Sequence, residues 1–184
     1  MKINSLNHFG EIEIFGESLW VACTDNQIHA TAFSRLYTPE YFCSKVEKRL
    51  DISLIKNKGL PEDISEKIKT SVYEFGANIF DFNTSAYSSF KQKVWKACLQ
   101  IPVGKTQTYA QLASKVGKPK ASRAVGSALS SNPIPVLIPC HRVVKSDGSV
   151  GGYAFGVELK KMLLKNEKTN YSCGNLAASG GLNV

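Results

Sequence analysis

Residues 108–130 read TYAQLASKVGKPKASRAVGSALS. Thr108 can cap a short helix running from Tyr109 to Val116, and Gly117 supplies its stop. Pro119 can open a second helix only three residues later, reaching about Ser130. Two short helices joined by a tight, glycine-containing turn predict a helix-turn-helix. On a wheel of about 100° per residue, Ser122, Arg123, Gly126, Ser127 and Ser130 fall within one arc, while Ala121, Ala124, Val125, Ala128 and Leu129 fill the opposite one. A helix that reads bases in the major groove normally carries several long polar side chains. The small outward face here suits the closer approach that a minor groove about 6 Å wide demands. Arg123 is then the one side chain long enough to enter a base stack. The same small-residue face could instead pack on another helix.

On the N-terminal side, a helix from about Ser88 to Leu99 ends at Ile101-Pro102-Val103-Gly104. On the other side, Arg142-Val143-Val144 and Val150 flank Lys145-Ser146-Asp147-Gly148-Ser149, whose Asp-Gly predicts a hairpin, a wing beside the helix pair. A last helix spans Val157 to Lys168, and the Gly/Ser/Ala/Asn-rich segment 169–184 reads as a frayed or disordered tail. The first half is mixed. Glu11–Ile14, Ser18–Ala22 and Ile28–Phe33 predict short strands. Thr38-Pro39 opens a helix to about Leu50, and another follows Pro61 with Ile64, Ile68, Val72 and Phe75 on one face.

Charge divides the 184-residue chain at the same place. Residues 1–84 carry nine Lys/Arg and twelve Asp/Glu, a net of −3. Residues 85–168 carry fourteen Lys/Arg against Asp147, Glu158 and Glu167, a net of +11, and the last sixteen carry no charged side chain. Opposite signs on equal halves predict two domains, 1–84 and 85–168, the second facing a polyanion. A basic surface that only keeps the chain soluble is the plainer alternative. A hydrophobic share of 43% and a charged share of 21% fit a globular chain with a buried core. No apolar run reaches the length of a membrane span, and MKINSLNHFG lacks a secretory pattern. Five cysteines without a CxxC pair argue for a reducing compartment rather than a disulfide framework.

The chemistry concentrates in Asn132-Pro133-Ile134-Pro135-Val136-Leu137-Ile138-Pro139-Cys140-His141-Arg142-Val143-Val144. Three prolines pin the backbone, and Asn132 can bond turn amides. The run delivers Cys140 beside His141, a thiol with a base at hand; a buried, inert cysteine is the commoner case. On an extended strand the two side chains would point apart, so contact requires a turn or a bridging water. On the final helix Leu159, Leu163 and Glu167 recur every four residues. Glu167 thus follows the apolar face into a C-terminal turn where the helix dipole disfavours negative charge. A partner such as His141 would complete Cys–His–Glu in triad logic; pairing with Lys160 or Lys168 is the alternative.

The run Pro139-Cys140-His141-Arg142-Val143-Val144 resembles the active-site signature of the O6-alkylguanine-DNA alkyltransferases, the methylated-DNA–protein-cysteine methyltransferases. The resemblance extends through Ile101-Pro102-x-Gly104, Thr108-Tyr109-x-Gln111-Leu112-Ala113, Arg123-Ala124-Val125-Gly126, Asn132-Pro133 and Leu163-Leu164-x-x-Glu167, in family order over residues 88–168. It implies an α+β fold, an N-terminal mixed α/β (RNase H-like) domain followed by a mostly helical winged helix-turn-helix domain. It implies direct, single-turnover reversal of O6-alkylguanine, chiefly O6-methylguanine, in double-stranded DNA after base flipping. Cys140 would accept the alkyl group, His141 would activate it through a water, and Glu167 would orient His141. Tyr109 would protonate guanine N3, Arg123 would fill the gap left by the flipped nucleotide, and Asn132 would brace the loop. The carbonyls of Cys140 and Val143 would read the guanine amino group. Tyr153, Ala154 and Phe155 occupy the pocket loop, where Phe155 departs from a usual glycine and would narrow the mouth. Ser122, Gly126, Ser127, Ser130 and Arg142 join Arg123 as expected DNA contacts in the minor groove. The chemistry calls for no cofactor. A structural zinc held through Cys23 and His29, with His8 and Cys43 elsewhere, does not match zinc-finger spacing. A monomer in the cytoplasm, or the nucleus of a eukaryotic cell, is expected. The rivals are a non-catalytic winged-helix DNA-binding regulator, which leaves Cys140-His141 unexplained, and a Cys-His hydrolase, which leaves the basic half unexplained.

Overall fold

The structure, a computed structural model, describes residues 7–24, 27–55, 59–73, 81–82 and 84–178, with side chains as far as Lys168. Strand β1 (His8–Ile14) turns through Phe15-Gly16, both at positive φ, into the antiparallel β2 (Glu17–Cys23). A two-residue turn of this kind matches the twist of the strands it joins. The non-glycine Phe15 is held there by its N–H, which donates to Tyr73 Oη at 2.8 Å, and by an edge contact with the Tyr73 ring. Strand β3 (Gln27–Phe33) pairs antiparallel with β2, and β4 (Asp81–Phe82) pairs parallel with β3, giving the order β1-β2-β3-β4.

Alternation along β2 and β3 gives this sheet two buried faces. Ala22, Ala30 and Ala32 face helix α1 (Pro39–Leu50), against Phe42, Cys43 and Val46. Thr38 caps α1, its Oγ1 accepting from the Tyr41 N–H at 3.3 Å. The other face carries Ile12, Ile14, Leu19, Val21 and Phe33. It packs with Ile64, Ile68 and Val72 of helix α2 (Glu62–Tyr73) and runs without a break into the core of the second half. Phe75, expected on the same helical face, lies outside the described residues.

The second half is a cluster of helices: α3 (Ser89–Leu99), α4 (Tyr109–Lys115), α5 (Ser122–Ser130) and α6 (Val157–Ala178). A capping box starts α4: Thr108 Oγ1 accepts from the Gln111 N–H at 3.1 Å, and Gln111 Oε1 accepts from the Thr108 N–H at 2.7 Å. Buried Trp95 ties α3 to α5 by donating to the Ala128 carbonyl at 2.9 Å.

Four expectations need correction. Helix α5 begins at Ser122 rather than Pro119, because Pro119 sits inside a turn closed by the Ala121 N–H on the Lys118 carbonyl; a proline suits that turn position as well as a helix start. Ala124, assigned to the core face, is exposed. Val143–Val144 (β6) pairs in parallel with Gln107–Thr108 (β5) and does not fold back on Val150. The Asp147-Gly148 turn does form, with the Lys145 N–H on the Ser149 carbonyl at 3.0 Å, but Gly151 at φ +71° then takes the chain away. Helix α6 passes Lys168 and continues to Ala178, since no proline interrupts 169–178; residues 179–184 lie outside the described ones.

Candidate active site

Asn132 organises the loop that leads out of α5. Its Oδ1 accepts from the Ile134 N–H at 2.9 Å, and its Nδ2 donates to the Ile138 carbonyl at 2.9 Å and to Cys140 Sγ at 3.2 Å. Between these anchors Val136 sits at φ +74°. That conformation costs a β-branched residue about 1–2 kcal/mol, so the loop must be held from outside. Thr31 of β3 does so: its N–H donates to the Pro133 carbonyl at 3.1 Å and its Oγ1 to the Pro135 carbonyl at 2.8 Å. Cys140–Arg142 then form a single 3₁₀ turn, so Cys140 and His141 are not the diverging neighbours of an extended strand.

His141 and Glu167 are both fully buried, and His141 Nε2 meets Glu167 Oε1 at 2.7 Å. The carboxylate also accepts from Arg142 Nε and Nη2, and from the Gly104 N–H at 3.3 Å. Burial alone would push Glu167 up, but the hydrogen bonds and charges of His141 and Arg142 outweigh it and bring its pKa to about 2. Burial lowers the His141 pKa, against the pull of Glu167, so the ring is neutral at pH 7. An ionised carboxylate can only accept, so His141 Nε2 carries the proton. Nδ1 is therefore the basic nitrogen, and it is buried with no protein hydrogen-bond partner.

Burial pushes the Cys140 thiol up, while Asn132, the Tyr153 hydroxyl and the charge of Lys160 pull it back. Lys160 itself has no exposed surface. Its Nζ donates to the Val143 carbonyl at 2.6 Å and the Gly152 carbonyl at 3.3 Å, and lies 5.8 Å from the Tyr109 ring centroid. Burial lowers its pKa to about 8. Cys140 lies in a cavity of about 320 Å³ whose walls are Tyr109, Gly126, Leu129, Ser130, Gly152, Tyr153 and Ala154. A Cβ on Gly126 would come within 3.8 Å of Tyr109 Cε1, an ordinary van der Waals contact.

Most of the expected residues converge here: Cys140, Tyr109, Tyr153, Ala154, Gly126 and Ser130 line the cavity. His141, Glu167 and Asn132 support it from behind. Arg123 and Ser127 are exposed on α5, Ser122 is half-buried, and the Val143 carbonyl faces Lys160. Two assignments fail. Arg142 is not a DNA contact: it is buried on Glu167, with Nη1 on the Ile101 carbonyl at 2.6 Å. Phe155 does not line this cavity; its ring packs on Phe33 and Tyr153, with centroids 5.2 and 5.3 Å away, because Phe33 offers an apolar face. Lys160 and Thr31 were missed. Lys160, Leu163 and Glu167 recur at i, i+3 and i+7, which places Lys160 on the apolar stripe and could have revealed it. Among the described residues no three His, Cys, Asp or Glu gather into a metal site. Cys23 and His29 are each buried, and His29 Nε2 lies 3.3 Å from Asn7 Oδ1.

Fold and site together define a protein with a buried cysteine at the wall of a pocket, a His–Glu pair behind it and an arginine-bearing helix alongside. The family model described as "6-O-methylguanine DNA methyltransferase, DNA binding domain" matches residues 89–169. A methylated-DNA–protein-cysteine methyltransferase of Methanosarcina barkeri is 40% identical over 129 residues, 68% of this chain and 81% of the relative. One from Shigella flexneri is 35% identical over 81% of this chain and 88% of its own length. The mixed α/β architecture matches the crystal structure of Mycobacterium tuberculosis OGT in complex with DNA, with a TM-score of 0.70 and 28% identity over 89% of this chain and 94% of that one. The chain belongs to the methylated-DNA–protein-cysteine methyltransferase family.

Proposed function

We infer that this protein repairs O6-alkylguanine in DNA, chiefly O6-methylguanine, by moving the alkyl group irreversibly onto Cys140. The observation that carries this reading is Cys140 at the wall of a pocket, backed by a neutral His141 oriented by Glu167. A non-catalytic DNA-binding regulator would need none of these groups.

The chemistry follows from the states of the side chains. A thiol held up by burial needs a base, and His141 Nδ1 can take its proton through one bridging water. The sulfur then attacks the alkyl carbon, the carbon–O6 bond breaks, and its electron pair passes into the purine. Tyr109, whose pKa burial raises, keeps a proton to deliver to N3. The carbonyls of Cys140 and Val143 face the guanine amino group, each with one lone pair already engaged, by the Val143 N–H and by Lys160. A base inside a duplex is out of reach, so it is flipped, with Arg123 taking its place and Ser122, Gly126, Ser127 and Ser130 approaching the minor groove. No step needs a cofactor. We assign residues 1–84 to an RNase H-like scaffold domain and 85–168 to a winged helix-turn-helix domain, in a monomer acting in the cytoplasm, or in the nucleus of a eukaryotic cell.

Intact mass after mixing with a duplex containing O6-methylguanine tests the reading. One methyl group on Cys140 per molecule, and none in Cys140→Ala, is the expected result. Multiple turnovers would favour a hydrolase, and DNA binding with no mass change would favour a regulator. Cys140→Ala should bind the duplex as well as the wild type, because phosphate contacts supply most of the affinity.

A further inference from the structure

Beside the transfer pocket, and sharing Ser130 and Ala154 with it, lies a second groove of about 340 Å³ between α1 and the second half. The alkyl transfer uses neither its tyrosines nor its cations. Tyr37 and Tyr41 form one wall, their rings stacked with centroids 5.7 Å apart and planes 4° from parallel, yet 37% and 51% exposed. Tyr87 stands on another wall. Each aromatic wall carries cations: Lys45 Nζ lies 5.2 Å from the Tyr41 centroid, with Lys91 Nζ at 5.8 Å and the Arg49 guanidinium at 5.9 Å from that of Tyr87. No carboxylate lines the groove among the described residues.

Exposed tyrosine rings with lysines over them are the surface on which single-stranded nucleic acid rests, a base taking the ring face as the lysine swings out to a phosphate. The groove also continues from the end of α5, the helix that meets DNA, through the shared Ser130. We propose that it holds an unpaired nucleotide of the DNA strand adjoining the one flipped into the transfer pocket, its base on Tyr41 and its phosphate at Lys45. This rests on the repair reading.

Fluorescence anisotropy with a short oligothymidylate and with a blunt duplex separates the two surfaces. Tyr41→Ala and Lys45→Ala should each weaken the single strand by about tenfold or more while leaving the duplex within about twofold. Methyl transfer from the free base O6-methylguanine to Cys140, read by intact mass, should not change. Tyr41→Phe keeps the ring and should bind as the wild type does, which guards against a folding defect in Tyr41→Ala. Cross-linking of a 5-iodouracil oligonucleotide should map to Tyr37 or Tyr41. Unchanged single-strand binding, equal loss on both DNAs, or sedimentation showing the tyrosines buried between two copies of the chain would each overturn the proposal. Absence of transfer in the wild type would instead overturn the repair reading.

Discussion

Lys160 keeps an ammonium fully out of water among two carbonyls and an aromatic ring. Its pKa falls from 10.5 to about 8, so the folded protein holds that proton less tightly than the unfolded chain. By linkage, this group adds to stability as pH rises from about 8 towards 10.5. Its charge, present below about 8, favours the Cys140 thiolate. Lys160→Met is therefore expected to slow methyl transfer about tenfold at neutral pH, with the gap to wild type closing as pH passes about 8. Transfer rates across that range check it, and a constant ratio would sink it. Glu167 has the opposite sign. Its pKa is lowered from 4.5 to about 2, so its contribution is complete above 4.5 and drains away as pH falls towards 2. Glu167→Gln leaves buried Arg142 without its counter-charge and should cost about 3–5 kcal/mol near neutral pH. Urea melts of the two proteins should converge towards pH 2. The His141–Glu167 pair was legible because spacing put Glu167 on the apolar face of its helix. Arg142 was misread because a basic residue in a basic half looks like a phosphate contact; only the fold shows that it serves Glu167.

At the scale of elements, α1 and the strands β1 and β2 were legible because local signals decide them: Thr38-Pro39 at a helix start, and the short apolar-rich runs Glu11–Ile14 and Ser18–Ala22. The start of α5 and the partner of β6 were not, since Pro119 fits a turn or a helix and two valines cannot announce which strand they will meet. Within α5, Gly126 has room: an added Cβ would meet Tyr109 at ordinary contact distance. Gly126→Ala should raise stability by about 0.5–1 kcal/mol, the usual gain in a helix interior, with transfer retained. Gly126→Trp should fold and lose transfer by filling the pocket. Thermal melts and intact mass distinguish these outcomes. The loop from Asn132 to Pro139 depends on β3, a strand more than a hundred residues away in sequence. Thr31→Val keeps the volume but drops the bond to the Pro135 carbonyl, and should cost about 1 kcal/mol and slow transfer.

For the whole molecule, the charge boundary at residue 84 and the packing do not coincide. The sheet residues Ile12, Ile14, Leu19 and Val21 line one small cavity together with Pro135, Val136 and Leu137, so the first half walls in the loop that carries Cys140. Asn166 of α6 reaches back to the Phe15 carbonyl at 3.1 Å, and Phe155 rests on Phe33. A chain of residues 85–184 alone would keep the net charge of +11 and the α4–α5 pair that is to meet DNA. It would also expose Val136 and Leu137, now 4% and 9% exposed, and lose both Thr31 bonds that oppose the positive φ of Val136. Uncovering two such side chains costs about 1.5–3 kcal/mol each, a large part of the 5–15 kcal/mol that holds an ordinary domain together. The fragment should therefore bind duplex DNA with a steep salt dependence, as its phosphate contacts are intact, yet fail to methylate Cys140. Anisotropy at several salt concentrations, urea unfolding and intact mass make the comparison. A fragment as stable and as reactive as the full chain would mean that the first half is not needed to hold Cys140 in place.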